Sequence, residues 1–206
     1  MGLTARSAGL AGLAGLAAAE PVPVFAIAGS GMRAAVQDLR LDPGIRIVDS
    51  PRAAAVLLIA GPTAALDAQA LARIHDALPH PRATVVWRAS EPFVRPGGGS
   101  SVAVDDDDPV PALRAVLRAL LMGDRPSEVS ILPDEDAADW RGVGPYGQGG
   151  SGMTGGTPYG RPMADLGPDR DGLRLDLLPV TLGPVFPRLP VGLVLDVQLA
   201  GDVVTG

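Results

Sequence analysis

Hydrophobic and polar positions alternate in long blocks along the first 125 residues. Apolar runs occupy residues 22–28 (VPVFAIA), 55–60 (AVLLIA) and 83–87 (ATVVW), with a shorter one at 102–104 and a short strand or extended lead at 45–48. Runs without a polar face predict strands covered on both sides, as in a parallel sheet. Helical spacing fills the intervals. Ala35, Val36 and Leu39 share a stripe within 32–41, which Pro43-Gly44 stops; Leu66, Ala70, Ile74 and Ala77 do so within 64–78, before Pro79. Ser50-Pro51 predicts the cap of a single helical turn through Ala54. Leu113, Val116, Leu117, Leu120 and Leu121 mark a strong amphipathic helix over 111–122.

Strands alternating with helices predict a three-layer α/β domain with a parallel, flavodoxin-like sheet over residues 21–123. Chemistry in such sheets gathers at the carboxyl ends of the strands. Here those loops are 29–32, 61–63, 88–99 and 105–109.

The pattern changes after Gly123. Residues 126–139 are acidic and broken by prolines, and 142–162 are too glycine-rich for a helix or a packed strand. Residues 124–170 therefore read as a connector, of a length expected where a segment is functional or lies on a partner. Strand-like alternation returns in 173–182 and 193–204, with a turn at Ala200-Gly201-Asp202, and predicts a small β-hairpin module over 171–206. At the other end, Arg6 precedes a repeated Ala-Gly-Leu tract, and Ala17-Ala18-Ala19 has the form of a cleavage site. Its hydrophobicity is weak for a signal core. A mobile or loosely helical lead-in over residues 1–20 is the preferred reading, with export the alternative.

Composition narrows the chemistry. The apolar fraction is 47% but aromatic residues make up only 3%, so the core is aliphatic. A net charge of −6 argues against a nucleic-acid surface, which needs clustered positive charge. All 17 basic residues are Arg. Cysteine is absent, which removes disulfides and thiolate sites for zinc or iron–sulfur clusters. No run reaches the roughly 18–20 apolar residues of a membrane-spanning helix.

The order of several short motifs carries a resemblance. Ser50-Pro51-Arg52-Ala53 leads into the strand that ends at Gly61-Pro62-Thr63. Leu78-Pro79-His80-Pro81 precedes the Val85-Val86 strand, and residues 104–111 (VDDDDPVP) open a leucine-rich helix. In this order, residues 45–121 resemble the small-subunit family of nickel–iron hydrogenases and the cluster-bearing subunit of respiratory complex I. That family binds an iron–sulfur cluster through cysteines in the strand-end loops. The resemblance places Gly29, Met32, Ser90 and Asp107 where ligands are expected, so it implies a scaffold without its cluster and no cofactor.

A second resemblance lies at the C-terminus. Residues 182–187 (LGPVFP), followed by GLVLDVQLAGDVV, look like the opening loop and hairpin of the catalytic large subunit of the same complexes. In complex I the corresponding loop carries a His near quinone. Phe186 stands there in this chain, removing a proton donor.

Other constellations have plainer readings. Asp105, Asp106, Asp107 and Asp108 are weak candidates for a hard cation. The preferred reading is a helix start, where negative charge is favourable by about 0.3–1 kcal/mol. The glycine run at 149–156 lacks the Gly-Lys-Ser/Thr of a phosphate loop. Tyr146, Met153, Tyr159, Arg161 and Phe186 are candidate interface anchors, being of types enriched at interfaces. His75 and His80 lack a partner at diagnostic spacing and read as helix-surface and turn residues. Neither Ser30 nor Ser90 is marked as a nucleophile.

These observations lead to an expected function. The chain is expected to be a non-catalytic accessory subunit of a complex I-like or energy-converting-hydrogenase-like assembly. Its partners would be a large-subunit-like protein and other hydrophilic-arm subunits, at the cytoplasmic face of the inner membrane. The alternatives are a nucleotide or small acidic ligand in the strand-end crevice, and an exported binding protein.

Overall fold

The computed structural model describes residues 15, 20–62, 68–89, 101–133, 164–166, 176–186, 189–190 and 192–205. The chain divides into two units, Met1–Leu132 and Pro133–Gly206.

The first unit is an α/β domain built on five parallel strands, β1 (Val22–Ala28), β2 (Ile45–Ile47), β3 (Val56–Ala60), β4 (Ala83–Trp87) and β5 (Val102–Val104). Their order across the sheet is β2-β1-β3-β4-β5, the flavodoxin-like arrangement expected from the sequence. All five residues of β3 and of β4 are buried, which is why both runs carry no exposed polar side chain. Among the described residues three α-helices flank the sheet: α1 (Arg33–Asp38), α2 (Ala68–Ala77) and α3 (Val110–Met122).

Alternation within the strands assigns the two faces. Val24, Val56, Leu58, Val85 and Trp87 join Val36 of α1 and Leu113, Val116, Leu117 and Leu120 of α3 in one core cluster. The opposite face buries Phe25, Ile27, Leu57, Ile59, Thr84 and Val86, and it is here that α2 turns His75 inward. Placing α1 on one face and α2 on the other follows from right-handed crossovers running outward in both directions from β1.

Element boundaries differ locally from the periodic pattern. The stretch predicted as one helix over 32–41 ends its α-helical part at Asp38 and closes with a 3₁₀ turn, Leu39–Leu41, before Pro43. The one-turn helix after Ser50 is present at Pro51–Ala53, where Ser50 Oγ accepts from Arg52 N–H at 3.3 Å. Gly123 ends α3 with φ 79°, a left-handed cap that glycine adopts without a Cβ penalty. The α/β unit does not stop there. Residues 124–132 fold back onto it, so the connector begins beyond Leu132 rather than at Asp124.

The second unit carries an antiparallel sheet in the order β6-β7-β8-β9, comprising β6 (Asp165–Leu166), β7 (Asp176–Leu182), β8 (Leu195–Ala200) and β9 (Val203–Val204). β7 and β8 form the hairpin predicted for this end. Gly201, at φ 63°, makes the turn into β9. The short strand β6 was not anticipated.

Candidate functional site

The strand order reverses between β1 and β3, so the crevice at their carboxyl ends is where this fold usually seats a ligand. Here, among the described residues, the loops after β1 and β3 close on each other. Gly29 N–H donates to Ala60 O at 2.7 Å, and Gly61 N–H donates to Trp87 O at 2.7 Å, extending both ladders into the loops. A Cβ on Gly29 would lie 2.2 Å from Pro62 O, and one on Gly61 would lie 2.5 Å from Met32 Cγ. The two loops are therefore packed directly on each other. Met32 is half-buried against Gly61, and its backbone carbonyl starts α1 by accepting from Val36 N–H.

The positions aligned with cluster ligands do not form a donor set. Gly29 has no side chain, and Met32, a thioether, packs its Cγ against Gly61. Asp107 lies after β5, paired with Arg88. Strand spacing alone puts the ends of β1 and β5 roughly 14 Å apart. Ser90 falls outside the described residues. Iron–sulfur clusters are held by thiolates, so the described residues do not fit one.

The aspartate run has structural tasks instead. Asp108 Oδ1 accepts from Val110 N–H at 2.9 Å at the start of α3, as the helix-start reading expected. The Asp106 carbonyl accepts from Trp87 Nε1 at 2.9 Å, and Asp107 pairs with Arg88, whose guanidinium lies 5.7 Å from the Trp87 ring centroid. Arg88 itself has φ 52°, the left-handed region, where the strand turns out of the sheet.

The densest polar assembly lies at the other end of β4, where sequence reasoning expected nothing. His75 is buried, at 1% exposure, and is not a helix-surface residue. Its Nδ1 lies 2.7 Å from Asp76 Oδ1, and its Nε2 lies 3.1 Å from Glu128 Oε2. Glu128 accepts from Thr84 N–H at 3.0 Å, from Thr84 Oγ at 2.7 Å and from Arg125 Nη2 at 3.3 Å. Arg82, also buried, donates to the backbone carbonyls of Asp76, Leu78 and Glu128 and to Ser130 Oγ. His80, in the turn after α2, contacts Ser127 Oγ at 2.6 Å. Burial opposes the charge of Asp76. The N–H groups of Leu132 and Ile131 and the His75 ring outweigh that, and hold its carboxyl below the usual aspartate range.

This cluster binds residues 127–132 to the amino-terminal rim of the sheet. Its polar atoms face one another inside the unit, and Ser127 is the partner of His80 rather than of a His–carboxylate pair. It is an anchoring assembly. Only one local signal pointed to it: Thr84 and Arg82 are polar residues in and beside an otherwise apolar strand.

The second unit presents a different kind of surface. The β7–β8 register puts Leu178, Val180 and Leu182 opposite Leu199, Val197 and Leu195, all on one face. None of these six side chains is buried. The other face pairs Thr181 with Asp196, Oγ to Oδ1 at 2.6 Å. Phe186 is exposed in the loop after β7. The candidate anchors Tyr146, Met153, Tyr159 and Arg161 fall outside the described residues.

Among the described residues, no helix is long and apolar enough to cross a membrane. The chain matches no protein-family model, no curated protein and no solved structure.

Proposed function

We propose that this chain is a non-catalytic accessory subunit of a complex I-like or energy-converting-hydrogenase-like oxidoreductase assembly. It contributes binding surfaces and leaves electron transfer to its neighbours. The observation that carries this reading is the aliphatic face of the β7–β8 sheet, six Leu and Val side chains of which Leu178 and Leu195 are exposed and the other four half-buried. Apolar surface of this kind marks an interaction site. The hydrogenase-like setting rests on the ordered resemblance of residues 45–121, and of the Gly183–Phe186 loop with the hairpin after it. A large-subunit-like partner and other hydrophilic-arm subunits follow from that setting, as does peripheral attachment to the cytoplasmic face of the inner membrane through those partners. A ligand-binding role is less well supported, because the loops after β1 and β3 pack on each other, Gly29 against the Pro62 carbonyl and Gly61 against Met32.

Affinity capture of the full-length tagged chain from native membranes tests the proposal. A hydrogenase-like large subunit should be recovered with it, and the chain should contain no iron. A bound iron–sulfur cluster, or an isolated monomer with its own turnover, overturns the reading.

A further inference from the structure

The geometry around His75 points to a stored proton and a pH-sensitive clasp. Each ring nitrogen lies opposite a carboxylate oxygen: Nδ1 against Asp76 at 2.7 Å and Nε2 against Glu128 at 3.1 Å. A neutral imidazole has one donor and one acceptor nitrogen, and an ionised carboxylate only accepts. A neutral ring would therefore set a lone pair against an oxygen at one of the two contacts. Both carboxylates are committed as acceptors elsewhere. Asp76 takes the N–H groups of Ile131 (2.9 Å) and Leu132 (2.8 Å), and Glu128 takes both donors of Thr84 and a guanidinium nitrogen of Arg125. We infer that His75 is an imidazolium, donating at both nitrogens, and that this proton fastens residues 127–132 to the rim of the sheet.

Among the described residues, the surrounding charges come from three segments. Asp76 comes from α2 itself, Arg82 from the approach to β4, and Arg125 and Glu128 from the segment after α3. Arg52, on the 3₁₀ turn packed against α2, is exposed. Among the described residues two guanidinium groups and two carboxylates balance, and the imidazolium adds one positive charge to them. Two short contacts to carboxylates offset the ring's desolvation only while both are made. Loss of the proton removes one of them.

The consequence is mechanical. Asp76 holds Ile131 and Leu132, Arg82 holds Glu128 and Ser130, and Glu128 holds Thr84, so His75 ties together the two carboxylates that carry the clasp. As pH rises and the ring loses its proton, the clasp loosens. As pH falls far enough to protonate Asp76, it loosens again. A released 127–132 segment, fully extended, would span roughly 20 Å.

Two measurements on the full-length chain test this. Long-range nitrogen–proton correlation spectra of the His75 ring, from about pH 5.5 to about pH 9, span the ordinary histidine range. Amide exchange protection of Ile131 and Leu132, corrected for intrinsic rates, is followed over the same range. Both ring nitrogens should be protonated at the acid end. Protection of the two amides should fall about tenfold on ring deprotonation, as expected for one lost charge-assisted bond, while β3 amides keep theirs. A neutral ring at the acid end, with the proton on Glu128, overturns the inference. So does a ring that titrates without changing protection, or a loss shared equally by β3. His75→Gln should abolish the pH dependence of Ile131 and Leu132; an unchanged dependence in that variant also overturns it. If His75→Gln does not fold, the two wild-type measurements decide alone.

Discussion

Glu128 grips Thr84 at two points, accepting its backbone N–H at 3.0 Å and its Oγ at 2.7 Å across 44 residues of chain. Thr84 sits in a strand whose five residues are all buried, so its hydroxyl must find a partner inside the protein. That partner comes from a stretch whose composition resembles a linker. The contact converts the first residues after α3 from connector into part of the α/β unit.

Glu128→Ala should therefore be among the most damaging substitutions in the chain. It leaves His75, Thr84 and Arg125 facing an emptied buried site, and breaking a buried charge pair costs about 3–5 kcal/mol. Urea denaturation followed by Trp fluorescence would measure it. A loss below 1 kcal/mol, the ordinary size for a surface pair, would mean the carboxylate is solvated.

Asp76 sets the acid limit of stability. Its carboxyl is held below the unfolded value of 3.8, because backbone N–H groups and His75 outweigh desolvation. A depressed folded value contributes stability above the unfolded value, and that contribution is lost as pH falls through the folded one. Stability should decline on going from about pH 5 toward pH 2, and Asp76→Asn should decline less steeply over the same range. Equal slopes for the two proteins would contradict the assignment.

Closure of the β1–β3 crevice predicts a specific pattern of rescue. Gly61→Ala conflicts with Cγ of the flexible Met32 side chain, and adds strain at φ 75°. Gly29→Ala conflicts with Pro62 O, which is backbone. Each should destabilise by about 1–3 kcal/mol. Adding Met32→Ala should recover part of the Gly61→Ala loss and none of the Gly29→Ala loss, in a double-mutant cycle. Rescue of both would show that the loops separate easily.

The β7–β8 face predicts separable effects on binding and folding. Val180→Arg or Val197→Asp places a charge among the aliphatic side chains of that face. Recovery of partners in affinity capture should fall at least about tenfold, the scale of an interface hot spot. Chemical denaturation of the α/β unit, reported by buried Trp87, should be unchanged. Undiminished capture would remove this face from the interface.

Residues 55–60 and 83–87 announced their strands because burial on both faces leaves no reason for alternation. Helix α3 was equally legible, since a 3.6-residue stripe and a terminal glycine are local properties. The Ser50 cap and the Asp108 helix start were legible for the same reason: donor and acceptor lie two residues apart. His75 was not. Its neighbours in sequence give it an ordinary helix position, and Glu128 reaches it only because α3 carries the chain back to the amino-terminal rim of the sheet. The carboxyl ends of β1, β3, β4 and β5 were legible along the chain, but the glycines after β1 and β3 do not reveal how closely those loops pack.

The sequence by itself determined a cysteine-free, aliphatic α/β core with a hairpin at its C-terminal end. Composition and short-range periodicity suffice for that, because they report which groups can be buried locally. Tertiary structure alone decided that the loops after β1 and β3 pack on each other and that His75, Asp76, Arg82, Thr84 and Glu128 converge. Those contacts depend on where distant strands end and which side each helix covers. Hydrogen bonds between groups tens of residues apart leave no periodic trace in the chain that makes them.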